Sequence, residues 1–151
     1  MSQQTLIVSP SDGEKFTIGE LTIVTRLVGS QTGGLFELYA LDLGPFTIDY
    51  HIHRTMDETL WVVEGEIEFV VAGKKYSRPA GSVAYVPRGL HHGFTNHGPA
   101  RALMFAMFNP SGNQNDYFRQ LEKLVSASTL DKAALQALQR KYDQELIPEG
   151  Q

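Results

Sequence analysis

Residues Gly44 to Gly65 read GPFTIDYHIHRTMDETLWVVEG. Two short apolar runs, FTIDYHIH over 46–53 and TLWVV over 59–63, are separated by a polar turn and closed by Glu64-Gly65. Runs of that length, rich in β-branched and aromatic residues and bounded by glycine, read as strands. Two of the five histidines, His51 and His53, stand one residue apart in the first run. In an extended strand alternate side chains share a face, so the two imidazoles project the same way about 7 Å apart along the chain. Glu58 follows five positions later, on the next strand. Two imidazoles and a carboxylate aimed together make most of a metal site.

The same punctuation extends on both sides of this stretch. LIV (6–8), LTIVTRLVG (21–29), LFELYALDL (35–43), EIEFVV (66–71), SVAYV (82–86), HHGFT (91–95) and ALMFAMF (102–108) are the other strand candidates. Gly33-Gly34, Ala72-Gly73, Pro79-Ala80-Gly81, Pro87-Arg88-Gly89 and Gly98-Pro99 are the turns between them. Many short strands at near-regular spacing predict an all-β sandwich or barrel. No internal repeat or low-complexity segment interrupts the pattern.

After Pro110 the period changes to helical. Phe118, Leu121, Leu124 and Val125 form one apolar stripe, with Asn115 or Asp116 available as N-cap. A second helix is expected from Ser128-Thr129-Leu130-Asp131, which has the form of a capping box. Its stripe runs through Leu135, Leu138 and Tyr142, with Pro148 as its stop. Residues 1–110 are thus expected to form the β-domain. Residues 111–151 are expected to form a helical extension packed on it, an amphipathic stripe being most often a packing face rather than a lid or dimer element.

Composition limits the function classes. The chain has 151 residues, 42% hydrophobic and 20% charged, with a net charge of −4, the profile of an ordinary globular domain. Nothing in this balance steers it toward nucleic acid or an anionic membrane surface. No apolar run approaches the ~20 residues of a membrane span. The first residues lack the basic and apolar regions of a signal peptide, so a cytoplasmic location is expected. There is no cysteine, which removes disulfides, thiolate ligands and thiol nucleophiles. No Gly-x-Ser-x-Gly elbow and no glycine-rich phosphate loop occur. Arg54, Arg78, Arg88 and Arg101 are scattered and form no phosphate clamp.

A second stretch completes the first. Gly81 to Asn96 reads GSVAYVPRGLHHGFTN, with a turn at Pro87-Arg88-Gly89 followed by His91-His92. Neighbours in a strand face opposite ways, so only one of this pair can join the first cluster. Spacing from the turn favours His92, which shares a face with Phe94 and Asn96; His91 then faces outward.

Taken together, the two stretches resemble the paired motifs of the cupin superfamily. The first motif matches at Gly44, His51, His53, Glu58 and Gly65, the second at Gly81, Pro87, Gly89, His92 and Asn96, with fifteen residues between them. That gap is similar to those of single-domain cupins, and the run NPSGNQNDYFRQLEKL after the strands is similar to the tail of the quercetin-dioxygenase-like group. The resemblance implies a double-stranded β-helix, a jelly-roll barrel, with a short helical tail. It also implies a metal held by His51, His53, Glu58 and His92, and pairing into a homodimer. Three imidazoles and one carboxylate suit a divalent transition metal (Fe, Mn, Ni, Cu or Zn), and no sulfur biases the choice. Four such ligands leave positions open for water or substrate, as catalytic sites do.

Neighbouring positions suggest what surrounds that metal. Strand parity places Leu60 and Val62 with Glu58, Phe94 and Asn96 with His92, and Ile67 and Phe69 inside as well, an apolar lining suited to a small-molecule substrate. Tyr39 and Glu37 are candidates for polar contacts if their strand turns that face inward. Asp57 is expected to be structural, and His97, in the turn NHGP, a surface residue. The leading functional expectation is a dioxygenase, an oxidoreductase acting on an enol- or flavonol-like molecule. In it the resemblance implies that Glu58 takes the substrate proton as well as binding metal. The alternatives are a metal-dependent isomerase or lyase of a sugar or keto acid, and a non-catalytic small-molecule-binding module.

Overall fold

A computed structural model describes residues 4–147. Eleven strands form two antiparallel sheets. The larger has the order β1 (Lys15–Ile18), β2 (Leu21–Leu27), β3 (Glu37–Leu43), β10 (Ala102–Asn109), β5 (Asp57–Glu64), β8 (Val83–Val86). The smaller has the order β11 (Glu145–Leu146), β4 (Phe46–Ile52), β9 (His92–Asn96), β6 (Glu66–Val71), β7 (Lys74–Pro79). The inward faces meet in one core that includes Ile23, Tyr39, Leu43, Leu60, Ile67, Phe69, Phe94 and Met104. β3 and β10 alternate buried and half-buried positions along their whole length, the pattern of strands with one face inside. This is a jelly-roll barrel.

Three strands escaped the apolar-run reading, and one expected strand is absent. β7, KKYSRP, is exposed at every position, so as an edge strand it carries no hydrophobic alternation to read. β1 buries only Phe16, and β11 is two residues long. Residues 6–8 are not a strand; Leu6 and Val8 lie beside Val24, Leu38 and Phe105 in a shallow outer groove.

β4 contains a feature that decides where the histidines point. Its register with β9 runs Phe46↔Asn96 and Ile48↔Phe94, then slips to His51↔His92. Strict alternation would put His51 and His53 on the face opposite to Phe46 and Ile48. The slip, a β-bulge, inserts one residue and turns both histidines to the inward side, a use typical of bulges beside functional sites. Gly93 lies opposite the bulge. A Cβ there would stand 2.7 Å from the Ile48 carbonyl oxygen, so only glycine lets the two backbones approach this closely.

The helical tail begins earlier and turns later than expected. α1 (Gln114–Val125) follows Asn113, whose left-handed backbone makes no side-chain cap. α2 (Lys132–Lys141) is capped by Asp131, whose carboxylate accepts from the Ala134 amide at 3.0 Å. Asp131 is therefore the cap and not the fourth member of a capping box begun by Ser128. α2 ends at Lys141, with Tyr142 just beyond it; Pro148 lies outside the described residues. Glu14 bonds Arg119 and Asn115, and the Glu122 carboxylate bonds the Thr17 amide, tying α1 to β1. The two helices are more than an outer layer. Tyr117, Phe118 and Leu121 of α1, and Leu135 and Gln139 of α2, form one wall of a cavity that reaches into the barrel.

Candidate metal centre

His51 and His53 reach the centre from β4 and the residue after it, Glu58 from β5, and His92 from β9. All four are buried, and one donor atom from each lies within 4.8 Å of every other. His51 Nε2 and His53 Nε2 are 3.1 Å apart, and the Glu58 Oε2 atom is 3.1 Å from His53 Nε2 and 2.7 Å from His92 Nε2. Gly89 supports this corner: its amide donates to the His53 carbonyl at 2.7 Å, at a φ of 85°, a backbone conformation that favours glycine.

The outer nitrogen of each ring fixes its tautomer. His51 Nδ1 donates to the Asp49 carbonyl (2.6 Å), His53 Nδ1 to the Asp143 carbonyl (2.9 Å) and His92 Nδ1 to the Leu90 carbonyl (3.1 Å). A carbonyl only accepts, so each Nδ1 carries a proton, and the Nε2 of a neutral ring turns its lone pair toward the centre. Three lone pairs and a carboxylate converging in a buried space call for a cation. Backbone carbonyls behind ligating imidazoles are the usual way such ligands are oriented. The donor set fits a divalent transition metal.

Electrostatics agree with that demand. Burial, helped by the neighbouring His92 and His53, pushes His51 down to about 3, so it stays neutral. Burial opposes charge on His53 too, but its bond to the Glu58 carboxylate outweighs this and raises its proton affinity. Burial likewise works against charge on Glu58, yet the bonds from His53 and His92 hold it well below the usual carboxylate range. Without metal, the site keeps its carboxylate ionised and draws a proton to His53, in the place where a metal would sit.

The cavity next to these groups measures about 240 Å³. It is lined by Ile18, Ile23, Phe46, Ile48, Phe94 and Phe108 of the barrel, together with the helix residues named above. Tyr39 and Phe94 are among its walls. Leu60, Val62 and Phe69 are buried in the core and do not line it. Their strand parity is inward, but inward space at their level is filled by packing. Asn96 does not line it either. Its amide nitrogen donates to the Leu43 and Ala100 carbonyls and its oxygen accepts from Gly98 N, each at 2.9 Å.

Asn96→Ala is therefore expected to leave metal content unchanged. It should lower stability by roughly 1–3 kcal/mol, because the buried Leu43 carbonyl and two partly exposed backbone groups lose their partner. Thermal melts with metal analysis check this, and a loss of metal from a well-folded variant would return Asn96 to the site.

Glu37 and Tyr39 both face inward, their hydroxyl–carboxylate bond measuring 2.7 Å. Asp57 binds the Arg88 amide and guanidinium and the Asn109 amide, a structural role; the Arg88 bonds hold its carboxyl down at about 2. His91 is half-buried outside the cluster, edge-on to Tyr50, and His97 is exposed beside Glu68. Sequence reasoning missed the helix residues of the cavity and the tail carbonyl behind His53. The first were visible as an apolar stripe without a known partner; the second is a backbone atom and leaves no mark in a sequence.

Comparison with known proteins follows the same lines. Residues 38–108 match the family model described as a cupin domain. Quercetin 2,3-dioxygenase of Bacillus subtilis (strain 168) is 27% identical over 89 residues, 58% of this chain and 26% of that enzyme. The chain thus spans about a quarter of the length of the curated relative it matches. Among solved structures, KdgF from Halomonas sp. superposes with a TM-score of 0.66 at 15% identity, covering 74% of this chain and 99% of that one. A sugar phosphate isomerase from Silicibacter pomeroyi gives 0.54 at 22% identity, covering 62% and 61%. At these identities the likeness to solved structures is one of fold. No helix among the described residues is long and apolar enough to cross a membrane. His51, His53, Glu58 and His92 all lie within the matched segment, where the strand order of this barrel brings them together, and residues 38–108 of the chain form a cupin domain.

Proposed function

We propose that this chain is a metal-dependent dioxygenase acting on a small, uncharged, enol-bearing organic molecule. The observation that carries this reading is the cavity wall: it joins the His51, His53 and Glu58 side chains, and neither lysine nor arginine is among its lining residues. A phosphorylated sugar would need cationic groups beyond a metal already shared with Glu58 to offset its charge once desolvated, so an isomerase of such substrates is disfavoured. An apolar molecule with one acidic hydroxyl fits the wall. The similarity to the Bacillus dioxygenase supports the same chemistry.

A bound divalent metal would supply Lewis acidity toward the substrate oxygen and, if redox-active, a route to dioxygen. The protein's own groups do the rest. Apolar side chains of both helices and of the barrel form most of the cavity wall, with Asp49, Gln139 and Gln144 among its polar points. Glu58, an ionised carboxylate in a buried site, accepts the hydroxyl proton of the substrate as its enolate forms. The three Nδ1–carbonyl bonds keep the imidazoles from following that charge change. A homodimer is the proposed assembly; an apolar row of Val24, Ala40, Phe105, Trp61 and Val83 crosses the outward side of the larger sheet. The net charge of −4 gives no support to a nucleic-acid role.

Oxygen uptake by metal-loaded protein over a panel of enols and flavonols tests the reading. Uptake is expected with at least one uncharged enol and is expected to fall by about 10²-fold or more in Glu58→Gln with metal restored. Turnover that proceeds equally under argon would replace this reading with an isomerase. A compound that raises the melting temperature and is recovered unchanged would replace it with a binding module.

A further inference from the structure

The three ligand histidines are not held alike. The carbonyls behind His51 and His92 belong to Asp49 and Leu90, each two residues away in the same segment. The carbonyl behind His53 belongs to Asp143, 90 positions away, just past the end of α2. Asp143 has a left-handed backbone, φ 62°. Its amide approaches the Arg140 carbonyl at 3.4 Å, and the Gln144 amide bonds the Gln139 carbonyl at 2.7 Å. That pair of bonds is the common way to end a helix, and glycine is the usual residue at the position Asp143 fills.

Its side chain has other work. One carboxylate oxygen accepts from the Arg54 amide (2.8 Å), the other from the Thr55 amide (2.9 Å) and hydroxyl (2.7 Å). These are the two residues directly after His53. Asp143 therefore grips the chain on one side of the ligand with its carboxylate while its carbonyl holds the ligand's ring.

We infer that Asp143 is a positioning residue of the metal centre, through which the end of α2 sets the orientation of His53. Removing the carboxylate frees the carbonyl from its register with His53 Nδ1. The ring can then rotate or exchange tautomers, and its Nε2 lone pair is no longer committed to the metal. The inference rests on the metal-centre reading and is independent of which reaction is catalysed.

Cobalt(II) titration of the full chain tests it, reading both the dissociation constant and the visible absorption bands of the bound ion. Asp143→Gly keeps the left-handed backbone without strain and deletes only the carboxylate. It is expected to weaken cobalt binding by about tenfold, as loss of an outer partner of a ligand does, and to shift the bands. Asp143→Asn tolerates the same backbone and keeps an acceptor oxygen, so it should recover to within about threefold of wild type. Glu145→Ala breaks the exposed Arg54–Glu145 ion pair (3.0 Å), another tie between tail and strand end, and should bind cobalt like wild type. Wild-type affinity and bands in Asp143→Gly would overturn the inference, whatever its melting temperature. Should that variant fail to fold, Thr55→Ala removes one leg of the grip; weakening of about threefold supports the inference and none overturns it. Failure of the wild type to bind cobalt would overturn it together with the metal centre, whereas a wild type that binds and a glycine variant that binds equally would overturn it alone.

Discussion

Anaerobically purified His51→Ala is expected to hold less than about a tenth of the metal carried by the wild type, since losing a ligand outright costs more than losing an outer partner. His51 is the ligand that burial keeps neutral, pushed down to about 3, so it offers its lone pair at any working pH. Metal analysis of both proteins from one preparation decides the matter, and stoichiometric metal in the variant would refute the ligand assignment. Acid should imitate the mutation reversibly. The ligand whose proton affinity is raised is His53, so metal competes there with a proton. Retention should be complete at alkaline pH and fall on acidification as His53 takes up its proton.

The second large effect is expected from Glu37→Ala, and it should fall on stability. This carboxylate is almost wholly buried, 1% exposed. It accepts from the Tyr39 hydroxyl (2.7 Å), the Gly112 amide (2.8 Å) and the Asn115 amide (3.4 Å). Asn113 gives α1 no side-chain cap, so a residue of β3 serves the helix start in its place, where a negative charge is also favoured by the helix dipole. Alanine strands one buried donor and two half-buried ones, for a loss of roughly 3–5 kcal/mol. A domain has only about 5–15 kcal/mol to lose. The melting temperature should drop by about 10 °C or more. A drop below about 2 °C would show that water or a shifted backbone replaces the carboxylate.

These two residues mark what the sequence could and could not convey. The cluster of His51, His53, Glu58 and His92 was legible because imidazoles and a carboxylate stand out at fixed spacing and each strand contributes locally. The apolar strands were legible for the same reason, since period-two alternation is a local signal. The inward turn of Glu37 was not, because a charged residue at that place in an apolar strand reads equally well as solvent-facing. Nor was the bulge in β4: its evidence is a slip between two strands more than forty residues apart, and only the close fit of Gly93 under Ile48 shows it. Leu60, Val62 and Phe69 were placed on the correct face, yet a face does not distinguish cavity wall from filled core. β7 was invisible because an exposed edge strand has no hydrophobic side.

β11 gives the chain a schedule. It pairs Glu145 with Ile52 and Leu146 with His51, and the Ile147 amide then bonds the Tyr50 carbonyl at 2.9 Å. Until it arrives, β4 is a border strand with one row of backbone groups unmatched, and His53 has no partner for its outer nitrogen. During synthesis, at about 5–20 residues per second, the barrel strands up to Asn109 are made several seconds before residue 147. Over that interval the nascent protein owns all four ligands but not the finished frame around them. The frame around the candidate ligands is thus completed last, and the open strand border beside it is the place where a stalled or shortened chain would join a neighbour.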